Sequence, residues 1–384
     1  MESGPHTPLE NQREKRLDPT DAGQFYSTDY FTARERFREA TKSAGWDWKC
    51  YPLDVEGPRG ETLTVDVALS PGDSTAPVLI VSSGLHGVEG LFGSAVQLAW
   101  LTHSAKRDDY PVRQVLIHSL NPYGFAWGRR VNETNVDLNR NFLPEDETYS
   151  GCPEGYREFN SFLNPQKPPS TWDPFTLKAI YLLARHGKAK LQQAIAVGQY
   201  DYPQGLFFGG NEPAWQQEFF SKNLSEWLSN SQEVVHLDLH TGLGPWGKCN
   251  VLIDYPLAPE RLHRLKSWFG HSLLAAYETQ TVSYQAKGGM GQWLIARTQD
   301  RNYTFAFAEF GTYPAIPVLK GLRAENQAHH WSAPSSPESQ KTKARLQELF
   351  CPENPSWRQS VLNQSLDLLE RANRGLHADQ NSTV

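Results

Sequence analysis

Two short stretches of this sequence carry side chains that could grip a metal ion. In GLHGVEGLFG, residues 84–93, His86 and Glu89 stand three apart among glycines, just after the apolar run APVLIV. The glycines let the backbone turn tightly, so both side chains can reach one point in space. Zinc in hydrolases often takes two histidines and one carboxylate and keeps a fourth position for water. His86 and Glu89 supply two of these ligands, although a His and a Glu at this spacing also arise by chance, with the histidine making ordinary hydrogen bonds. EVVHLDLHTGLG, residues 233–244, offers the third. Period-two alternation puts His236, Asp238 and His240 on one face of a strand. His240 stands at the strand end, where a ligand must sit; His236 lies deeper and suits a structural place. Asp238 suits either a partner that orients a ligand or a satisfied structural carboxylate.

The elements needed to position these residues are legible as alternating strands and helices. Strand character runs through Leu63–Leu69, Val78–Ser82, Gln114–Ser119, Ala194–Gln199, Val234–Leu239, Asn250–Ile253 and Thr304–Ala308. Helical spacing marks DYFTARERFREATKSAGW, Leu91–Thr102, Pro174–Ala184, Glu212–Ser229, Pro259–Thr279, Ser339–Leu349 and a C-terminal stretch near Ser356–Arg374. Such alternation predicts an α/β layered fold with a mixed, largely parallel sheet, in which ligands gather at the carboxyl ends of strands. We expect a loose tail over residues 1–24, one catalytic domain over 25–375 and a short tail over 376–384. The polar, Pro-rich stretch 144–172 reads as a surface excursion or a domain boundary; the chemical residues on both sides of it favour one domain.

Between the two ligand segments lies NPYGFAWGRRVNETNVDLNRNF, residues 121–142. Together with the HxxE, the NPxG turn, an Arg seven residues before DLNRNF and the strand-end His, it resembles the zinc carboxypeptidase (M14-like) superfamily, including its aspartoacylase and succinylglutamate desuccinylase branch, and within it a DUF2817-like subfamily. The resemblance implies a zinc-carboxypeptidase-like three-layer α/β/α fold, with His86, Glu89 and His240 holding Zn2+. Arg130 would polarise the scissile carbonyl and stabilise the oxyanion, with Arg129 as a neighbouring candidate. Asn139 and Arg140 would hold the substrate carboxylate, which a guanidinium matches with two parallel hydrogen bonds. Glu309, in YTFAFAEFGTYP, would be the general base and acid; a carboxylate at the end of an apolar strand is costly without a partner, so a salt bridge is the plainer alternative. Tyr284, 25 residues before Glu309, matches the family's substrate-side Tyr or a packing Tyr. One departure is NPYG in place of NPDG, with Tyr123 where the family has Asp. The Gly-rich KGGMG, residues 287–291, reads as a flap or a loop, and GQYDYPQGLFFGG, residues 198–210, as a cleft lining or a packed turn.

The totals exclude more than they assign. At 384 residues with 39% hydrophobic content, the chain can bury a core, and a net charge of -6 gives no bulk attraction to nucleic acid or anionic membrane. Cys50, Cys152, Cys249 and Cys351 are far apart and form no metal spacing. No signal-like or membrane-length apolar run occurs, so we expect a cytoplasmic chain. There is no GxSxG elbow or Walker A sequence. The expected function is zinc-dependent hydrolysis of amide bonds in a peptide or N-acyl amino acid with a free carboxylate, with the carboxypeptidase reading ahead of the deacylase reading and a non-catalytic zinc- or peptide-binding module behind both.

Overall fold

The computed structural model describes residues 22–104, 110–187, 197–275 and 287–382. Eight strands form one sheet: β1 Asp47–Glu56, β2 Thr62–Leu69, β3 Val78–Ser83, β4 Arg113–His118, β5 Glu233–Thr241, β6 Cys249–Ile253, β7 Leu273–Ala275 and β8 Asn302–Phe310, in the order β1-β2-β4-β3-β5-β8-β6-β7. The centre, β4-β3-β5-β8, is parallel, while β1, β2 and β6 run antiparallel to their neighbours β2, β4 and β8. The expected mixed α/β sheet is present. Every residue of β3 is buried, as the unbroken apolar VLIV predicts for a strand covered on both faces.

Eleven α-helices surround the sheet among the described residues: α1 Tyr30–Ser43, α2 Gly90–Ser104, α3 Pro122–Trp127, α4 Glu154–Leu163, α5 Phe175–His186, α6 Trp215–Leu228, α7 Pro259–Phe269, α8 Met290–Arg297, α9 Ala315–Trp331, α10 Pro337–Phe350 and α11 Pro355–Ser382. Asp29 caps α1 by accepting a hydrogen bond from the Thr32 amide at 2.9 Å. Chain direction decides where a site can form. From the central β3 the chain leaves to β4 on one side, and β5 then joins β3 on the other. A crevice therefore opens at the carboxyl ends of β3 and β5.

Several elements differ from the sequence reading. β1 was not expected: Pro52 and a mostly exposed side-chain pattern conceal it, and both are tolerated because it is an edge strand. The helix expected to reach Thr279 stops at Phe269, where Gly270 takes φ +58° and the chain enters β7. Of the strand expected at 194–199, residues up to 196 lie outside the described residues, and Gln199 makes a single bridge to Phe208. Residues 144–172 contain α4, so the excursion is partly helical. At the ends, Ala22 is buried in a short 3-10 turn and α11 runs to Ser382 with Leu376 buried, past the boundaries drawn at 25 and 375.

The core also contains a buried titratable group. His118 on β4 stacks on Phe37 and its Nε2 lies 3.0 Å from Ser94 Oγ. Burial, reinforced by the charges of Arg38 and Arg34, pushes its pKa down to about 3. An unfolded histidine titrates near about 6.5, so the unfolded chain binds the extra proton first and stability falls as pH drops below that value. We expect the fall in urea midpoint between pH 7 and pH 4.5 to be smaller in His118→Gln than in the wild type; an equal fall would show that His118 does not titrate on unfolding.

Candidate active site

Three loops at the strand ends build the site. After β3 the chain turns through Gly84, at φ +67°, and presents His86 and Glu89 on a 3-10 turn, Gly87–Glu89. This turn lies so close to α3 that a Cβ on Gly87 would stand 2.1 Å from the Gly124 carbonyl carbon. The glycines of HxxE and NPYG thus serve close backbone approach as well as turning. NPYG itself is the start of α3: the Asn121 side chain accepts the Gly124 amide at 2.8 Å. His240 ends β5, and the parallel register places it directly beside Glu309 on β8. Both therefore project from the same face.

His86, Glu89 and His240 are buried, and one ligand atom of each lies within 4.8 Å of the others. His86 Nδ1 is 2.9 Å from Glu89 Oε1 and His240 Nδ1 is 3.1 Å from Glu89 Oε2. The opposite ring nitrogens face carboxylates: His86 Nε2 to Asp137 Oδ1 at 3.1 Å and His240 Nε2 to Asp238 Oδ2 at 2.6 Å. Asp238 can take the Nε2–H of His240, which leaves the lone pair of that ring's Nδ1 toward the centre, whereas His86 Nε2 also lies 2.8 Å from Arg130 Nη2, which can only donate. Asp238 is itself held by Ser82 Oγ at 2.6 Å, which also contacts His236 Nε2 at 2.7 Å. His236 continues to the Tyr303 hydroxyl at 2.7 Å and is buried away from the cluster, as its depth in the strand predicts.

The electrostatics call for positive charge at this point. Burial raises the Glu89 carboxyl, but the charges of His86 and His240 outweigh it and hold Glu89 far below the ordinary carboxylate range. Burial lowers His240, yet Asp238 and Glu89 hold it well above the usual imidazole value. Glu309 goes the other way: burial first, and then the Glu89 charge, raise its carboxyl to about 7, against opposing pulls from His240, the Leu243 amide and Arg130. Its Oε1 accepts the Leu243 N–H at 2.8 Å.

The two adjacent arginines part company. Arg130 lies at the cluster, with Nε 3.0 Å from Asp137 Oδ2 and Nη1 3.5 Å from Glu89 Oε1. Arg129 points the other way, buried in α9 contacts with Glu325 at 2.9 Å, so it is not the site's guanidinium. Asp137 was not singled out from the sequence although it stands in VDLNRNF. It joins His86 to Arg130, and burial notwithstanding, Arg130 first and then His86 keep it well below the ordinary carboxylate value.

Asn139 and Arg140 line the same cavity, of about 510 Å³, as the cluster, Arg130 and Glu309. Residues 198–210 support this turn: Phe208 carbonyl accepts the Asp137 amide at 2.7 Å, and Gly198 gives room to the Arg140 side chain. The described part of KGGMG is pinned, since Gly288 carbonyl accepts the Phe142 amide at 2.9 Å and Met290 begins α8. Tyr284 lies outside the described residues.

Family DUF2817, described as a protein of unknown function, matches residues 26–364. The chain belongs to the DUF2817 family. A comparison with curated proteins finds no match. Among solved structures, this DUF2817 chain is similar to bovine thrombin-activatable fibrinolysis inhibitor in complex with tick carboxypeptidase inhibitor, at 12% identity and TM-score 0.44 over 91% of this chain and 98% of that one. It is similar to a metallo-carboxypeptidase from Burkholderia cenocepacia at 10% identity and TM-score 0.40, over 92% and 70% of the two chains. With murein-tripeptide amidase from Escherichia coli O157 it shares 16% identity and TM-score 0.35 over 74% of this chain and 92% of the amidase. Among the described residues, no helix of this DUF2817 protein is long and apolar enough to cross a membrane.

Proposed function

We propose that this DUF2817 protein is a zinc-dependent amide hydrolase of metallocarboxypeptidase type, acting on a peptide or N-acyl amino acid that ends in a free carboxylate. The observation that carries this reading is the meeting of His86, Glu89 and His240 on the wall of a cavity that also holds Glu309 and Arg130. The donor set fits zinc: two imidazoles, each backed by a carboxylate through its other nitrogen, and one glutamate. When bound there, zinc supplies Lewis acidity that polarises a carbonyl and lowers the pKa of water to about 7.

The chain's own groups do the rest. Glu309 takes a proton from water as its oxygen adds to the acyl carbon, then gives that proton to the nitrogen as the C–N bond breaks. One water is consumed, and an acid and an amine leave. A carboxyl raised to about 7 is suited to both transfers near neutral pH. Arg130, steadied by Asp137, stands where a guanidinium can answer the negative charge growing on the carbonyl oxygen. Asn139 and Arg140 would hold the substrate carboxylate, with Arg140 Nε unpaired among the described residues.

A second reading, deacylation of N-acyl amino acids, is favoured by the apolar composition of much of the cavity wall. The test is to incubate zinc-loaded protein with mixed peptides and N-acyl amino acids and identify products by mass. Released C-terminal residues select the carboxypeptidase, and released acyl acids the deacylase. Tight zinc binding without product from either class would leave a binding module and end the hydrolase reading.

A further inference from the structure

The cavity has two chemically different halves. Its charged and hydrogen-bonding side chains, among them Arg130, Arg140, Asp254 and Glu309, come from strand ends and from the segments between strands and helices, none of them from an α-helix. Most of the remaining wall comes from α4, α5, α9 and the end of α10, with side chains such as Phe162, Leu183 and Leu319, while Phe207, Leu252 and Phe307 add apolar surface from a loop and from β6 and β8. Among the lining residues of those four helices, none carries a nitrogen or oxygen in its side chain. Their backbone groups are engaged within the helices except at the first turns of α5 and α9 and the end of α10. The apolar wall meets the polar half at Arg130, whose guanidinium lies 5.9 Å from the Phe207 ring and 6.0 Å from the Phe350 ring. Of the carboxylate-binding candidates, Asn139 lies toward Gly289 and Asp254 instead. The apolar half therefore extends from the carbonyl-polarising side, where the acyl group of a cleaved amide would lie.

A peptide on that side would bring one N–H and one C=O per residue, about every 3.3 Å of extended chain, against side chains that cannot pair them. A hydrocarbon chain brings none. We propose that the substrate is an N-acyl amino acid with a long aliphatic acyl chain, the chain lying against α4, α5 and α9; this rests on the amide-hydrolase reading above. Hydrolysis adds one water across the amide and yields a fatty acid and a free amino acid.

The test compares zinc-loaded full-length protein on N-acetyl, N-hexanoyl and N-decanoyl forms of alanine, phenylalanine and lysine, with tripeptides as the contrast. Calorimetric titration of the same compounds into Glu309→Gln reads binding apart from turnover. We expect kcat/KM and affinity to rise by about fourfold per added methylene until the chamber fills. Leu319→Arg should lower kcat/KM for the decanoyl substrate at least tenfold more than for the acetyl one, and Leu183→Trp should move the optimum to a shorter chain. Equal kcat/KM from acetyl to decanoyl, or a preference for tripeptides, would overturn the acyl-chain assignment and leave the hydrolase standing. Chain-length-dependent binding without cleavage would uphold the chamber and remove the hydrolase. Neither binding nor cleavage would remove both.

Discussion

Glu309→Gln is expected to keep the metal and lose roughly 10²–10⁴-fold in kcat, the range for removing a positioned proton-transfer group. Glutamine preserves the shape and can still accept the Leu243 N–H, so the loss would report proton transfer rather than collapse of the wall. Metal content, followed by a chelating dye, and kcat on any cleaved amide check it together; unchanged turnover would remove Glu309 from the mechanism. The same variant should show a stability effect of the opposite sign. In the metal-free protein the folded-state carboxyl is raised to about 7, chiefly by burial, whereas an exposed glutamate titrates near about 4.3. Between these values the folded state holds a proton that the unfolded chain has released, so stability falls as pH rises through the interval. Glutamine cannot ionise. Metal-free Glu309→Gln should therefore melt above the wild type at pH 8, with the difference shrinking toward pH 4.5.

His240→Ala is expected to abolish turnover through loss of the metal. It removes one of three donors and leaves the Glu89 and Asp238 carboxylates facing an empty volume, each without a bond it had. Asp238→Asn, which keeps the donor and disturbs only its partner, should weaken metal affinity by roughly 10–100-fold. The alanine variant should lose more than that. Competition against a chelator of known affinity separates the two, and zinc binding by His240→Ala as tight as in the wild type would place the centre elsewhere.

The three candidate ligands are legible in the sequence because each follows or ends an apolar strand, and strand ends in a parallel sheet converge by geometry. It could not choose between Arg129 and Arg130, since adjacent residues leave a turn in different directions and only the fold shows which faces inward. Asp137 was hidden for another reason: its partner His86 is 51 positions away, and no local pattern marks that pairing. Elements were missed where local signals conflict. In α9, Pro317 and Gly321 interrupt the apolar spacing, yet the proline sits in the first turn, where its missing N–H costs nothing. α4 lies in a polar, Pro-rich run, although its buried Tyr156, Phe159 and Leu163 keep helical spacing. Both belong to the apolar wall, whereas its other two helices, α5 and α10, keep an unbroken apolar spacing and are legible in the sequence.

The pairing of His240 with Glu309 across β5 and β8 has a consequence for how such a protein can change. Side chains on a strand point to one face or the other, and a one-residue slip of either strand would send its own group to the far side. The separation between His240 and Glu309 can thus be kept or lost but not adjusted by degrees. The helices over the cavity face no such all-or-nothing constraint, because apolar surfaces tolerate exchange of volume at modest cost. New specificities in this architecture should be reachable by replacing residues 154–186 alone, with the sheet left as it stands.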